Sequence, residues 1–135
     1  MIGVQVAQRL KDAGLVWKPG PGDRFAIPGR DLDEDVFVLS TMTIEVYRVP
    51  DGQVIGFNGT TEWALDDIEF EEALWLPRED QLRELLGGTF RALRRTGAGY
   101  DVDVTLLGED RTFTAATPEE GYAAALLHLL AAAGL

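Results

Sequence analysis

The chain has 135 residues, 46% of them hydrophobic and 26% charged, which suits one globular domain and is too apolar for a disordered segment. Twelve basic against twenty-three acidic side chains give a formal net charge of −11, a balance that repels nucleic-acid phosphates and acidic lipid surfaces. The absence of cysteine removes disulfides, thiolate metal sites and cysteine nucleophiles together.

In chain order, Val6, Leu10 and Ala13 recur at helical spacing and predict an amphipathic helix over residues 3–13. Gly14 supplies the left-handed stop, from which Leu15 can fold back on Leu10. Lys18-Pro19-Gly20-Pro21-Gly22-Asp23 is then a loop, because two prolines and two glycines exclude regular structure. Strands are expected at Phe25–Pro28, Val36–Ser40, Thr43–Val49 and Gln53–Phe57, with Pro50-Asp51-Gly52 as a turn, so this part reads as an antiparallel meander. From Asn58 to Ile68 two signals compete. Asn58-Gly59 favours a hairpin, whereas a threonine cap followed by Ala64 and Ile68 favours a short helix, the reading preferred here.

Ala73–Leu76 follows as a buried strand ended by Pro77. Arg78-Glu79-Asp80-Gln81 opens a helix with acids in its first turn and Leu82, Leu85 and Leu86 as its stripe, and Gly87-Gly88 ends it. Strands are expected again at Thr89–Arg95, Tyr100–Leu107 and Arg111–Ala115, with turns at Gly97–Gly99 and Gly108–Asp110. Thr117, Pro118 and Glu120 then make the strongest helix start in the chain, a threonine cap with proline at N1 and a capping-box glutamate. The whole predicts a single α+β domain over residues 1–135, a mainly antiparallel sheet with an N-terminal, a middle and a C-terminal helix.

Chemistry is harder to place. Asp31, Asp33 and Asp35 have the opening rhythm of a calcium loop, but Val36 and Met42 stand where glycine and glutamate are required. Asp66, Asp67, Glu69, Glu71 and Glu72 could pair for acid–base work, though such a run more often makes a solvated surface. Ser40 and His128 are the only serine and histidine, without a nucleophile elbow, and Gly20-Pro21-Gly22 lacks the helix start and lysine of a phosphate loop. No catalytic residue, metal ligand or cofactor is therefore assigned. Arg91, Arg94 and Arg95 form a local basic cluster that reads as a solvated strand edge.

Two features point to binding. Trp17, Trp63 and Trp75 all lie beside loop residues, where with Arg78 they could wall a small-molecule cleft; the alternative is that they are core side chains. From Gly121 to Leu135 the only polar side chains are Tyr122 and His128. Tyr122, Leu126, Leu129, Leu130 and Ala133 form one stripe, while Ala124, Leu127, His128, Ala131 and Leu135 lie on other faces, as candidates for an interface. The expected function is a non-enzymatic protein-binding or assembly module, with a homodimer or another protein as partner. A small-molecule site is the alternative, and an acid–base enzyme the second. No stretch approaches the ~20 apolar residues of a membrane span, and the opening MIGVQVAQRLKDAG does not read as a signal peptide, so a cytoplasmic location is expected.

The stretches GDRFAIPGRDLDEDVFVLS, FNGTTEWALDDI, ALWLPREDQLRELLGGTF and TPEEGYAAALLHLL resemble a group of short, uncharacterised, high-GC bacterial proteins, some of them labelled pilus assembly proteins. The resemblance implies no established activity and carries over no catalytic residue. The pilus-associated ATPases of that label need a phosphate-binding loop, which this sequence lacks. The run from Trp75 to Leu82 is also similar to small phage-associated proteins.

Overall fold

The computed structural model describes residues 1–29, 36–39, 44–49, 52–57 and 68–133. Helices α1 (Val4–Asp12), α2 (Glu79–Leu86) and α3 (Pro118–Ala132) stand at the N-terminus, middle and C-terminus of an α+β fold whose strand pairings are all antiparallel. The expected strands are present as β1 (Arg24–Ala26), β2 (Phe37–Val38), β3 (Ile44–Val49), β4 (Gly52–Phe57), β6 (Leu74–Trp75), β7 (Phe90–Thr96), β8 (Gly99–Leu106) and β9 (Glu109–Ala115). A two-residue β5 (Ile68–Glu69) and a 3-10 turn (Phe70–Glu72) precede β6. The choice between hairpin and helix before Ile68 falls on 58–67, outside the described residues.

The chain divides into two compact units, Met1–Val16 with Pro77–Leu135, and Trp17–Leu76. In the first, β7, β8 and β9 form a meander in that order. Along β8 the buried Val102, Val104 and Leu106 alternate with Asp101, Asp103 and Thr105, so one face is apolar and the other polar. Helix α3 packs on β8 and β9, and both α1 and α2 pack on α3. The stop of α1 is a Schellman motif. Gly14, at φ 110°, donates its N–H to Lys11 O, and Leu15 donates to Leu10 O, each at 3.0 Å.

In the second unit, β1 is the centre of a sheet ordered β2-β1-β6, and β4 the centre of one ordered β3-β4-β5, so the single meander expected from Phe25 to Phe57 is divided between two sheets, with β6 taking the place beside β1. Phe25 and Ile27 beside β2 and β6 meet Trp17, Leu39 and Ala73 in one core cluster, with Phe37 and Trp75 packed against it. The Pro-Gly loop before β1 is held by Asp23, a buried carboxylate that accepts the Trp17 indole N–H at 2.9 Å and the Gly20 N–H at 3.0 Å. A buried charge persists only where such donors replace water. Gly22 N–H to Leu39 O and Leu39 N–H to Asp23 O, both 2.9 Å, lace the same loop to the chain beyond β2.

Candidate binding site

The last helix starts as its sequence demands. Thr117 Oγ1 accepts the Glu120 N–H at 3.2 Å, and Pro118 occupies the first turn. The return arm of the capping box is not made, and the Glu120 carboxylate stays on the exposed surface without a side-chain partner. One turn on, Gly121 lets α3 sit close on the meander. A Cβ there would lie 2.7 Å from Val102 Cγ2, nearer than a methyl group tolerates.

Tyr122, Ala125 and Leu126 are buried, and Tyr122 meets Phe90 edge-on at 5.9 Å. The Tyr122 hydroxyl is buried with no hydrogen-bond partner within 3.5 Å among the described residues. Burial pushes its phenol above the usual range; Glu79 adds to this and Arg83 opposes it. The helix is apolar all round because α1, α2, β8 and β9 each cover part of it.

What these neighbours leave uncovered includes a groove of about 390 Å³. Its floor is Ala123, Ala124 and Leu127 of α3; Val6 and Arg9 of α1 stand on one side, and Thr114 and Ala115 of β9 on the other. Glu120 completes the lining. Alanines at two floor positions are what leave the space open. Arg9 and Glu120, both exposed, form no ion pair or side-chain hydrogen bond among the described residues. The groove is thus an apolar channel with one unpaired cation and one unpaired carboxylate on its rim.

Of the interface candidates, Ala124 and Leu127 lie in this groove. His128 is half-buried against the Phe113 ring at 5.8 Å, Ala131 is exposed, and Leu135 lies outside the described residues. The groove's other walls had no signal in the sequence, because Val6, Arg9, Thr114 and Ala115 belong to elements that only folding brings to α3.

The three tryptophans and Arg78 behave differently. Trp17 and Trp75 are stacked at 6.5 Å and 12°, and Trp17 also tilts against Phe25 at 5.6 Å. Trp17 is a core side chain. Among the described residues the indole N–H of Trp75 is buried without a partner. Trp63 lies outside the described residues, and Arg78 belongs to the other compact unit, where its guanidinium meets Asp80 at 3.1 Å. Arg78 N–H also donates to Gln81 Oε1 at 2.9 Å, which fastens the start of α2.

The alternation that gives the meander a polar face is legible in the sequence, but the pairs on that face are not. Arg94 grips Asp103 through Nε at 2.6 Å and Nη2 at 2.9 Å, and reaches Asp101 at 3.4 Å. Thr112 donates to Asp103 at 2.8 Å, and Thr114 to Asp101 at 2.7 Å. Arg91 donates to Thr105 at 3.1 Å, and Thr105 to Asp110 at 2.7 Å. The Arg94 guanidinium first, then Thr112, hold the Asp103 carboxyl at about 2, below its usual range. The signal was present in the alternation Asp101-x-Asp103-x-Thr105, which becomes readable once the strand register is known. These groups satisfy one another, so the face is a closed ladder of cross-strand pairs.

The suspected calcium rhythm at Asp31–Asp35, Ser40, and the acids Asp66 and Asp67 lie outside the described residues. Among the described residues no group of three His, Asp or Glu side chains could hold a metal ion, and no helix is long and apolar enough to cross a membrane. No family model, curated protein or solved structure matches the chain.

Proposed function

We propose that this chain is a non-catalytic binding module that docks another protein in the groove between α1, α3 and β9. The observation that carries the reading is the groove itself: an apolar floor of Ala123, Ala124 and Leu127 under the unpaired Arg9 and Glu120. A protein partner supplies what that surface lacks, an apolar side chain for the floor and opposite charges for the rim. The polar face of the same sheet offers less, since Arg94, Asp101 and Asp103 already hold one another.

A small-molecule site among the tryptophans has weaker support. Trp17 is packed in the core of the second unit, with its N–H on Asp23.

The test is a pull-down from the native host with the wild-type protein and with Ala124→Arg, whose long side chain fills the groove from its half-exposed floor. Both proteins should give the same far-UV circular dichroism. The wild type should retain a partner that Ala124→Arg loses. Equal recovery by both would remove the groove from the reading.

A further inference from the structure

The turn between β8 and β9 carries a residue that local chemistry disfavours. Leu107 has φ 53° and Gly108 φ 81°, a two-residue hairpin turn with both centres in the left-handed region. Asparagine, aspartate or glycine normally stands at the first centre; a leucine there is strained, and this one is 87% exposed. The chain thus holds an apolar side chain out in water, in a conformation that costs it stability.

Beside that turn, β9 is an edge strand, bonded among the described residues to β8 alone. A two-residue turn makes Leu106 and Glu109 a hydrogen-bonded pair, and pairs then alternate along the ladder. The N–H and C=O groups of Asp110, Thr112 and Thr114 therefore point away from β8, toward the open edge. All three side chains are exposed, as are Glu109 and Arg111.

We propose that two copies of this chain pair through β9, antiparallel and centred on Thr112, with Leu107 of each copy seated at the groove of the other. The proposal rests on the groove's being a protein-docking site and names its occupant as a second copy. The register follows from charge and hydrogen-bond parity. Only Asp110, Thr112 and Thr114 can bond across the edge, so the opposed positions must keep those residues together. Centring on Thr112 opposes Asp110 with Thr114, Arg111 with Phe113, and Glu109 with Ala115. Centring on Arg111 opposes two arginines, on Asp110 two aspartates, and on Phe113 shortens the ladder. Like charges directly opposed are destabilising.

In the favoured register the turn of the second copy lies at the Ala115–Thr117 end of β9, where Thr114 and Ala115 line the groove. Glu109 of the second copy, which pairs with its own Arg111 at 3.1 Å, comes opposite Ala115 on the sheet face that carries the groove, across which the unpaired Arg9 stands. The contact is isologous, so each element is used twice, and it closes at two copies. It also covers the exposed strand edge, which otherwise invites open-ended pairing.

The experiment is size-exclusion chromatography with light scattering, from micromolar to hundreds of micromolar, in about 0.15 M salt so that the charge of −11 on each chain is screened. The wild type should pass from monomer to dimer. Leu107→Gly should weaken the dimer by roughly a hundredfold, the loss of two buried leucines, one from each copy, while thermal melting at monomeric concentration shows it at least as stable as the wild type. Thr112→Pro, which removes an outward N–H from an edge strand that tolerates proline, should be monomeric throughout. If Thr112→Pro does not fold, Leu107→Gly decides alone. A wild type that stays monomeric throughout, or a Leu107→Gly dimer as tight as the wild type's, overturns the proposal. A monomeric wild type that still loses a host partner on Ala124→Arg would end self-association only and leave the binding-module reading standing.

Discussion

The meander of β7, β8 and β9 and the sheet of β2, β1 and β6 are each three antiparallel strands, but they are specified in different ways. In the meander every strand pairs with the next one along the chain, through short turns. In the other sheet Phe25 of β1 opposes Trp75 of β6, and the whole of β3, β4 and β5 is made in between. The meander closes small loops, and its turns set its register; the other sheet must close a long one and depends on what its side chains find when they meet. Its specificity resides in side-chain chemistry: the Trp17–Trp75 stack, the Phe25 and Phe37 rings, and the buried Asp23 that anchors the loop before β1. A local sheet tolerates the loss of a side chain better than a non-local one does.

The largest expected effect tests the non-local side. Asp23→Ala leaves the Trp17 indole N–H and the Gly20 N–H without their acceptor in a buried setting. Urea denaturation should show a loss of roughly 3 kcal/mol, with the tryptophan emission changed in the native baseline. A loss within experimental error would mean that the Pro-Gly loop holds itself, and the contrast between the two sheets would weaken.

A smaller effect tests the packing of α3 on the meander. By helix propensity alone, Gly121→Ala should stabilise α3 by about 1 kcal/mol. The added Cβ, however, would sit 2.7 Å from Cγ2 of the fully buried Val102. Overpacking of that kind costs about 1–3 kcal/mol, so thermal and urea melts should show a net loss. A stabilised variant would mean that the layers can move apart freely.

The smallest effect concerns the polar face. The Asp103 carboxyl, lowered to about 2 in the folded chain, contributes stability that is present above its ordinary 3.8 and is lost as pH falls toward 2. Arg94→Met should flatten this acid-side decline by lowering stability above about pH 4, a small loss because the pair is solvent-exposed. An unaltered acid profile would remove Arg94 as the cause. The ladder would then owe its order to the threonines.

Local chemistry made part of the molecule legible in advance. The stop of α1 at Gly14, the start of α3 at Thr117, the glycine end of α2 and the alternation in β8 each depend on residues within a few positions of one another. Leu107 reads as strand, which puts the turn after β8 one residue late; only the backbone reveals it at positive φ. The candidate site was half legible. Ala124 and Leu127 stood out on a helix with more apolar surface than one face can use, while Arg9, Thr114 and Ala115 gave no sign that they would face them.

By itself, then, the sequence determined the identity and order of the helices and the α+β class, because backbone propensity, capping and turn geometry act over a few residues. Only the tertiary structure decided that Trp17 stacks on Trp75 over Asp23, that Gly121 rides on Val102, and that α1, α3 and β9 leave a groove between them. Those outcomes depend on contacts between residues far apart in the chain, and no local pattern encodes which distant surfaces will meet.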